Sequence, residues 1–202
     1  MSSAIAAGRP RAVLADLLPA ATAPAARVRD LALVVGGAAL TGIAAQLVLP
    51  VPGSPVPVTG QTFAALLIGA SFGPVRALLS MTLYALAGMA GMPWFAEGTS
   101  GFGMPSFGYV LGMTLAAAVV GELARRGGDR TMIRTVGTMA LGSLLIYGVG
   151  VPYLALATGM SAGEAVSAGL VPFLLGDALK VALAMGALPA AWRLVGRMRS
   201  GD

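Results

Sequence analysis

The sequence contains neither cysteine nor histidine. Disulfides and thiolate chemistry are therefore excluded, as are imidazole metal ligands and the usual general base. Charge is also scarce, at 10% of residues against about 25% in ordinary soluble domains. The few acids are scattered and form no reacting constellation, so no enzyme and no metal site are expected, an intramembrane enzyme being the weakest option. A GxxxxGK[ST] phosphate loop is missing as well. No cofactor is expected on this chain, and any ATP-driven step requires another polypeptide.

What fills the sequence instead is apolar: 57% hydrophobic residues and a mean hydropathy of +0.85 over 202 residues. These values predict an all-α, polytopic protein of the lipid bilayer, a bundle of six transmembrane helices. Residues 1–30 are rich in Ala, Pro and Arg, with Pro10, Pro19 and Pro24 set to interrupt a long helix. Arg9 and Arg11 before a short apolar patch imitate a signal peptide. Asp16 lies inside that patch and Pro19 ends it, so the segment reads as a cytoplasmic tail. Spans are expected near residues 31–49, 61–72, 76–91, 107–123, 132–157 and 170–188, the second being short for a full crossing. The Pro-rich stretch PVPGSPVPVTG before Gln61 cannot be regular helix. Gln61, at its mouth, is a candidate hydrogen-bonding group. Residues 31–190 form the expected six-helix transmembrane domain, followed by a basic cytoplasmic tail at 191–202.

Charge placement sets the orientation. With six spans, all the arginines fall on one side, whereas the opposite loops carry only Glu97 and Glu164. The positive-inside rule then selects N-in and C-in. The net charge of +5 is topological, and nucleic-acid binding has little support.

The one cation left unexplained is Lys180, the only lysine in the chain. It lies three residues after Asp177 in FLLGDALKVALA, so the two share a helix face. Ionised groups at this depth cost roughly 2.5–3.5 kcal/mol each on insertion scales, and they default to functional roles. Mutual neutralisation across a helix seam is the plain alternative. A second candidate is the loop at 91–109, GMPWFAEGTSGFGMPSFGY. Its glycines suit close backbone approach and its aromatics suit flat apolar contact, so it reads as a lid over a ligand. Trp94 and Tyr109 could also be headgroup-level belt residues. The first span carries small residues in rows of four, Gly37, Thr41 and Ala45 beside Ala38 and Gly42. Such rows allow a helix to approach closely, either within the bundle or as a docking face for another subunit.

GMPWFAEGTSG followed by PSFGYVLG, together with PVPVTGQT and the late GDALK, resembles the BioY family, biotin-binding S components of energy-coupling-factor (ECF) vitamin transporters. The resemblance covers residues 31–188. It implies a multi-pass prokaryotic cell-membrane protein that captures biotin from outside. In many members a transmembrane coupling subunit and two ATPase subunits drive delivery; transport without them is the alternative. The small-residue rows would then meet the coupling subunit. Asp177 and Lys180 would bind the ureido group or the carboxylate, with Trp94, Phe95, Tyr109 and, less directly, Tyr84 enclosing the ring. Glu97 would tune or close the loop. A self-sufficient or proton-coupled secondary transporter, with Asp177 cycling protons, is the alternative function, and a ligand-free structural bundle is a third.

Overall fold

A computed structural model describes residues 12–200, with side chains to Met198. Arg9, Pro10 and Arg11, and with them the start of the expected tail, lie outside the described residues. A short 3-10 turn, Leu14–Leu17, precedes helix α1, Ala23–Ala45. Thr22 caps α1 by accepting from the Ala25 N–H at 3.3 Å. Pro24 falls in its first turn, where the missing N–H has no helical partner to lose. The proline expected to interrupt the helix thus starts it, eight residues before the anticipated boundary at 31.

The Pro-rich segment forms a small hairpin, strands β1 (Val48–Leu49) and β2 (Val58–Thr59), antiparallel with Val48 opposite Thr59. Helix α2, Gln61–Phe72, runs to Gly73, whose φ of 81° makes the turn into α3, Pro74–Met89. After the glycine-rich loop come α4, Phe107–Arg125, and α5, Met132–Thr158, which contains Pro152 without ending there. Ser161 and Glu164 close a capping box on the short α6, Ala162–Gly169. Helix α7, Leu174–Ser200, then carries the Asp177–Lys180 pair near its start. It absorbs Arg193 and Arg197 rather than releasing them as a tail; cations suit a helix C-terminus.

Among the described residues, four stretches are long and apolar enough to cross a membrane: α1, α4, α5 and residues 162–198. Helices α2 and α3 are apolar but shorter; the 12 residues of α2 reach only about 18 Å. The bundle is apolar outside as well as in. Ile133, Leu156 and Leu175 are each more than four-fifths exposed, an arrangement suited to lipid. Helix α4 is central, touching α2, α3 and α5, while α1 packs on α3 and α7 on α5. Close approach of α4 to α5 depends on Gly112: a Cβ there would lie 2.7 Å from the Ile146 carbonyl oxygen.

Polar contacts gather at the end bearing the arginines and join the first helix to the last. Arg76 pairs with Asp30 (3.0 Å) on α1 and with Asp16 (2.8 Å) on the N-terminal turn. Val13, beside that turn, is fully buried. Arg130 donates to the Ala12 carbonyl at 2.8 Å and lies 3.5 Å over the Trp192 ring. The Trp192 indole donates in turn to Asp129 at 2.5 Å. Burial raises the Asp129 carboxyl above its ordinary 3.8, outweighing the lowering by Trp192 and Arg130. Residues 12–18, within the expected tail, are thus packed against the bundle.

Candidate functional site

At the opposite end, where α2 begins and α7 starts, six segments converge on a narrow cleft. The hairpin supplies Val56, Pro57 and Thr59; α2 supplies Gln61 and Thr62; the glycine-rich loop supplies Ala96 and Ser106. Tyr109 and Met113 come from α4, Tyr147 from α5, and Phe173 and Lys180 from the last segment. Aromatic rings make one wall. Tyr109 and Phe173 stack at 6.4 Å, and Tyr147 meets both edge-on at 6.3 Å. The Tyr109 hydroxyl is tied to the Gly169 carbonyl at 2.7 Å, so the ring is fixed at both ends.

Polar groups occupy the floor. Lys180 Nζ donates to Thr62 Oγ1 at 2.7 Å and to Asp177 Oδ1 at 3.3 Å. The Tyr147 hydroxyl donates to the other carboxylate oxygen, Oδ2, at 2.5 Å. Asp177 itself lines a smaller adjoining cavity with Thr62, Met139, Ser143 and Lys180. Lys180 and Thr62 border both spaces. An ion pair whose two members each also bond a hydroxyl group is a form in which charge is tolerated in an apolar bundle. The cleft's free volume is about 30 Å³, enough for water but not for a bicyclic molecule. A larger ligand enters only when the walls part.

Of the residues singled out from sequence, Asp177, Lys180, Gln61 and Tyr109 come together here. Trp94, Phe95 and Tyr84 do not line this cleft. They form a separate aromatic cluster against α3, Tyr84 lying 5.1 Å from Trp94 and 5.2 Å from Phe95. The Trp94 indole donates to the Tyr84 carbonyl at 3.0 Å, and Gln46 Nε2 donates to both the Trp94 and Phe95 carbonyls at 3.2 Å. Phe95 sits where a side chain on Gly88 would be. These rings fasten the loop to the bundle. Tyr84 is one step removed, its hydroxyl accepting from Gln61 Nε2 at 3.0 Å. Glu97 is exposed on the loop's 3-10 turn, Ala96–Gly98, with φ 59°.

The small-residue rows of α1 also find a use inside the chain. Gly37, Ala38, Thr41, Gly42 and Ala45 are all buried. A Cβ on Gly37 would lie 2.5 Å from Ser80 Oγ, and one on Gly42 2.9 Å from Trp94. These five residues therefore face inward and seat α1 on α3 and on the loop.

Sequence reasoning missed Tyr147, Thr62 and Phe173 as site residues. For Tyr147 a signal existed: a phenol in mid-span must find a partner, and Asp177 was the one acid at comparable depth.

The whole cleft lies inside the region that a sequence model of the BioY family matches, residues 18–197. A probable biotin transporter BioY of Pyrococcus horikoshii is 32% identical over 79% of this chain and 93% of its own length. The biotin transporter BioY2 of Lactococcus lactis is 30% identical over 78% of this chain and 86% of its own, and the biotin transporter BioY of Thermotoga maritima is 32% identical over 67% and 80%. Among solved structures, the S-component for biotin from an ECF-type ABC transporter superposes with a TM-score of 0.75 over 86% of this chain and 95% of that one. At 20% identity this likeness shows the fold.

Proposed function

The chain belongs to the BioY family, and on that premise we propose that it is a biotin-binding S component that captures the vitamin in the cleft floored by Lys180 and Asp177. The observation that carries this reading is the ion pair itself. It sits beneath stacked rings in a bundle that is otherwise apolar, at the meeting of the hairpin, the loop and four helices. Biotin offers matching chemistry: an apolar bicycle for Tyr109, Tyr147 and Phe173, and hydrogen-bonding or anionic groups for Lys180 and Gln61.

All six long elements, α1 to α5 and α7, are read as crossing the bilayer, α2 and α3 as short crossings shielded by their neighbours. Arginines 29, 76, 125, 126, 130, 134, 193 and 197 then lie at the cytoplasmic end, and the cleft opens outward. Entry requires the hairpin and the loop at 90–106 to part, because the free volume is far below that of the ligand. Energy comes from a transmembrane coupling subunit with two ATPase subunits. Biotin uptake by the purified chain alone in liposomes would instead support an independent carrier, and a response to a pH gradient a proton-coupled one. Titration calorimetry with biotin tests the binding reading directly. Asp177→Asn and Lys180→Ala are each expected to weaken binding at least tenfold, about 1.4 kcal/mol.

A further inference from the structure

Asp177 and Lys180 are one helical turn apart on α7, near enough for full pairing at the 2.7–2.9 Å usual for a charged hydrogen bond. They stand 3.3 Å apart instead. Each is drawn away by a shorter bond to another helix. Lys180 is 2.7 Å from Thr62 on α2, and Asp177 is 2.5 Å from the Tyr147 hydroxyl on α5. The Tyr147 ring is clamped between Tyr109 and Phe173, so its hydroxyl is held on the carboxylate.

An ammonium has three N–H donors and no acceptor. Thr62 and Asp177 take two. The third has no partner among the described residues, and Lys180 borders the cleft. We propose that Tyr147 is a positioning residue: by holding Asp177 Oδ2 it stops the carboxylate from drawing Lys180 out of the cleft, and so keeps one ammonium N–H free for an acceptor on the ligand. Thr62 does the same from the other side. This rests on the biotin-binding reading above, but the geometry it invokes belongs to the chain's own side chains.

Removal of the Tyr147 hydroxyl leaves a buried carboxylate oxygen short of a donor. The nearest replacement is Lys180, which would then pair more closely with Asp177 and turn from the cleft. Tyr147→Phe retains the ring and its packing, so a structural role for the ring is left untouched.

The single lysine makes the test direct. With ¹³C-lysine-labelled protein in detergent, one side-chain signal reports Lys180. Tyr147→Phe is expected to move that signal without ligand, and to leave it in place when Asp177 is already Asn. Biotin affinity is expected to fall about tenfold in Tyr147→Phe but less than twofold further when the same change is added to Lys180→Met. An unmoved lysine signal, or an equal loss of affinity in both backgrounds, overturns the proposal. Should Lys180→Met not fold, Thr62→Val replaces it; it must move the same signal and weaken binding in the same direction. Wild-type protein that fails to bind biotin sinks the functional reading, whereas the lysine signal still decides whether Tyr147 sets the position of Lys180.

Discussion

Arg76→Met should unclasp the arginine end. The guanidinium is well buried, at 17% exposure, and holds Asp30 at 3.0 Å and Asp16 at 2.8 Å. It also donates to the Phe72 carbonyl at 3.3 Å. Breaking a fully buried pair costs about 3–5 kcal/mol. Here the two acids are 42% and 33% exposed, so water can satisfy them once the arginine is gone, and the cost moves toward the surface limit of about 0–1 kcal/mol. About 1–2 kcal/mol for the two pairs together is the reasoned value. For a chain of this length that corresponds to a fall of about 2–8 °C in Tm. Thermal scans in one detergent at one scan rate measure it, since membrane proteins often unfold irreversibly. Arg76→Lys, which keeps the charge but not the fork of donors, should lie between. A Tm within about 1 °C of wild type for Arg76→Met would refute the claim that this residue ties α1, α3 and the N-terminal turn together.

Gly42→Leu should destabilise the isolated chain by about 1–3 kcal/mol through overpacking against Trp94, whereas Gly36→Leu, with nothing within 4 Å, should leave its stability unchanged. Equal behaviour of the two in thermal scans would contradict the inward orientation of the small-residue rows. A pH series isolates Asp129. Its raised pKa means the folded state favours the protonated form, so its contribution is fullest below the unfolded value of 3.8 and is lost as pH rises through the raised one. Relative to Asp129→Asn, wild type should therefore lose Tm as pH goes from about 3 to about 7; a constant difference would count against it.

The parts of the fold readable in sequence are those punctuated by glycine and proline. Helix α2 begins and ends where expected because PVPVTG precedes it and Gly73-Pro74 follows. The start of α1 was obscured because Pro24 breaks a helix interior but fits a first turn, and only the capping contact of Thr22 distinguishes the two. The end of α7 was obscured because Arg193 and Arg197 read equally as a soluble tail or as a helix end. For the site, composition located charge and aromatics but not the direction they face. Trp94 and Phe95 lie in the loop expected to cover a ligand, yet they bind their own backbone and α3. Tyr147 meets Asp177 across 30 residues, a pairing set by how α5 and α7 pack, which local pattern does not encode.

Titration calorimetry of biotin against the wild-type chain, Asp177→Asn and Lys180→Ala tests the central claim most directly. Wild type is expected to bind, with at least a tenfold loss in each variant. No binding by a folded wild-type protein, or unchanged affinity in both variants, would contradict it.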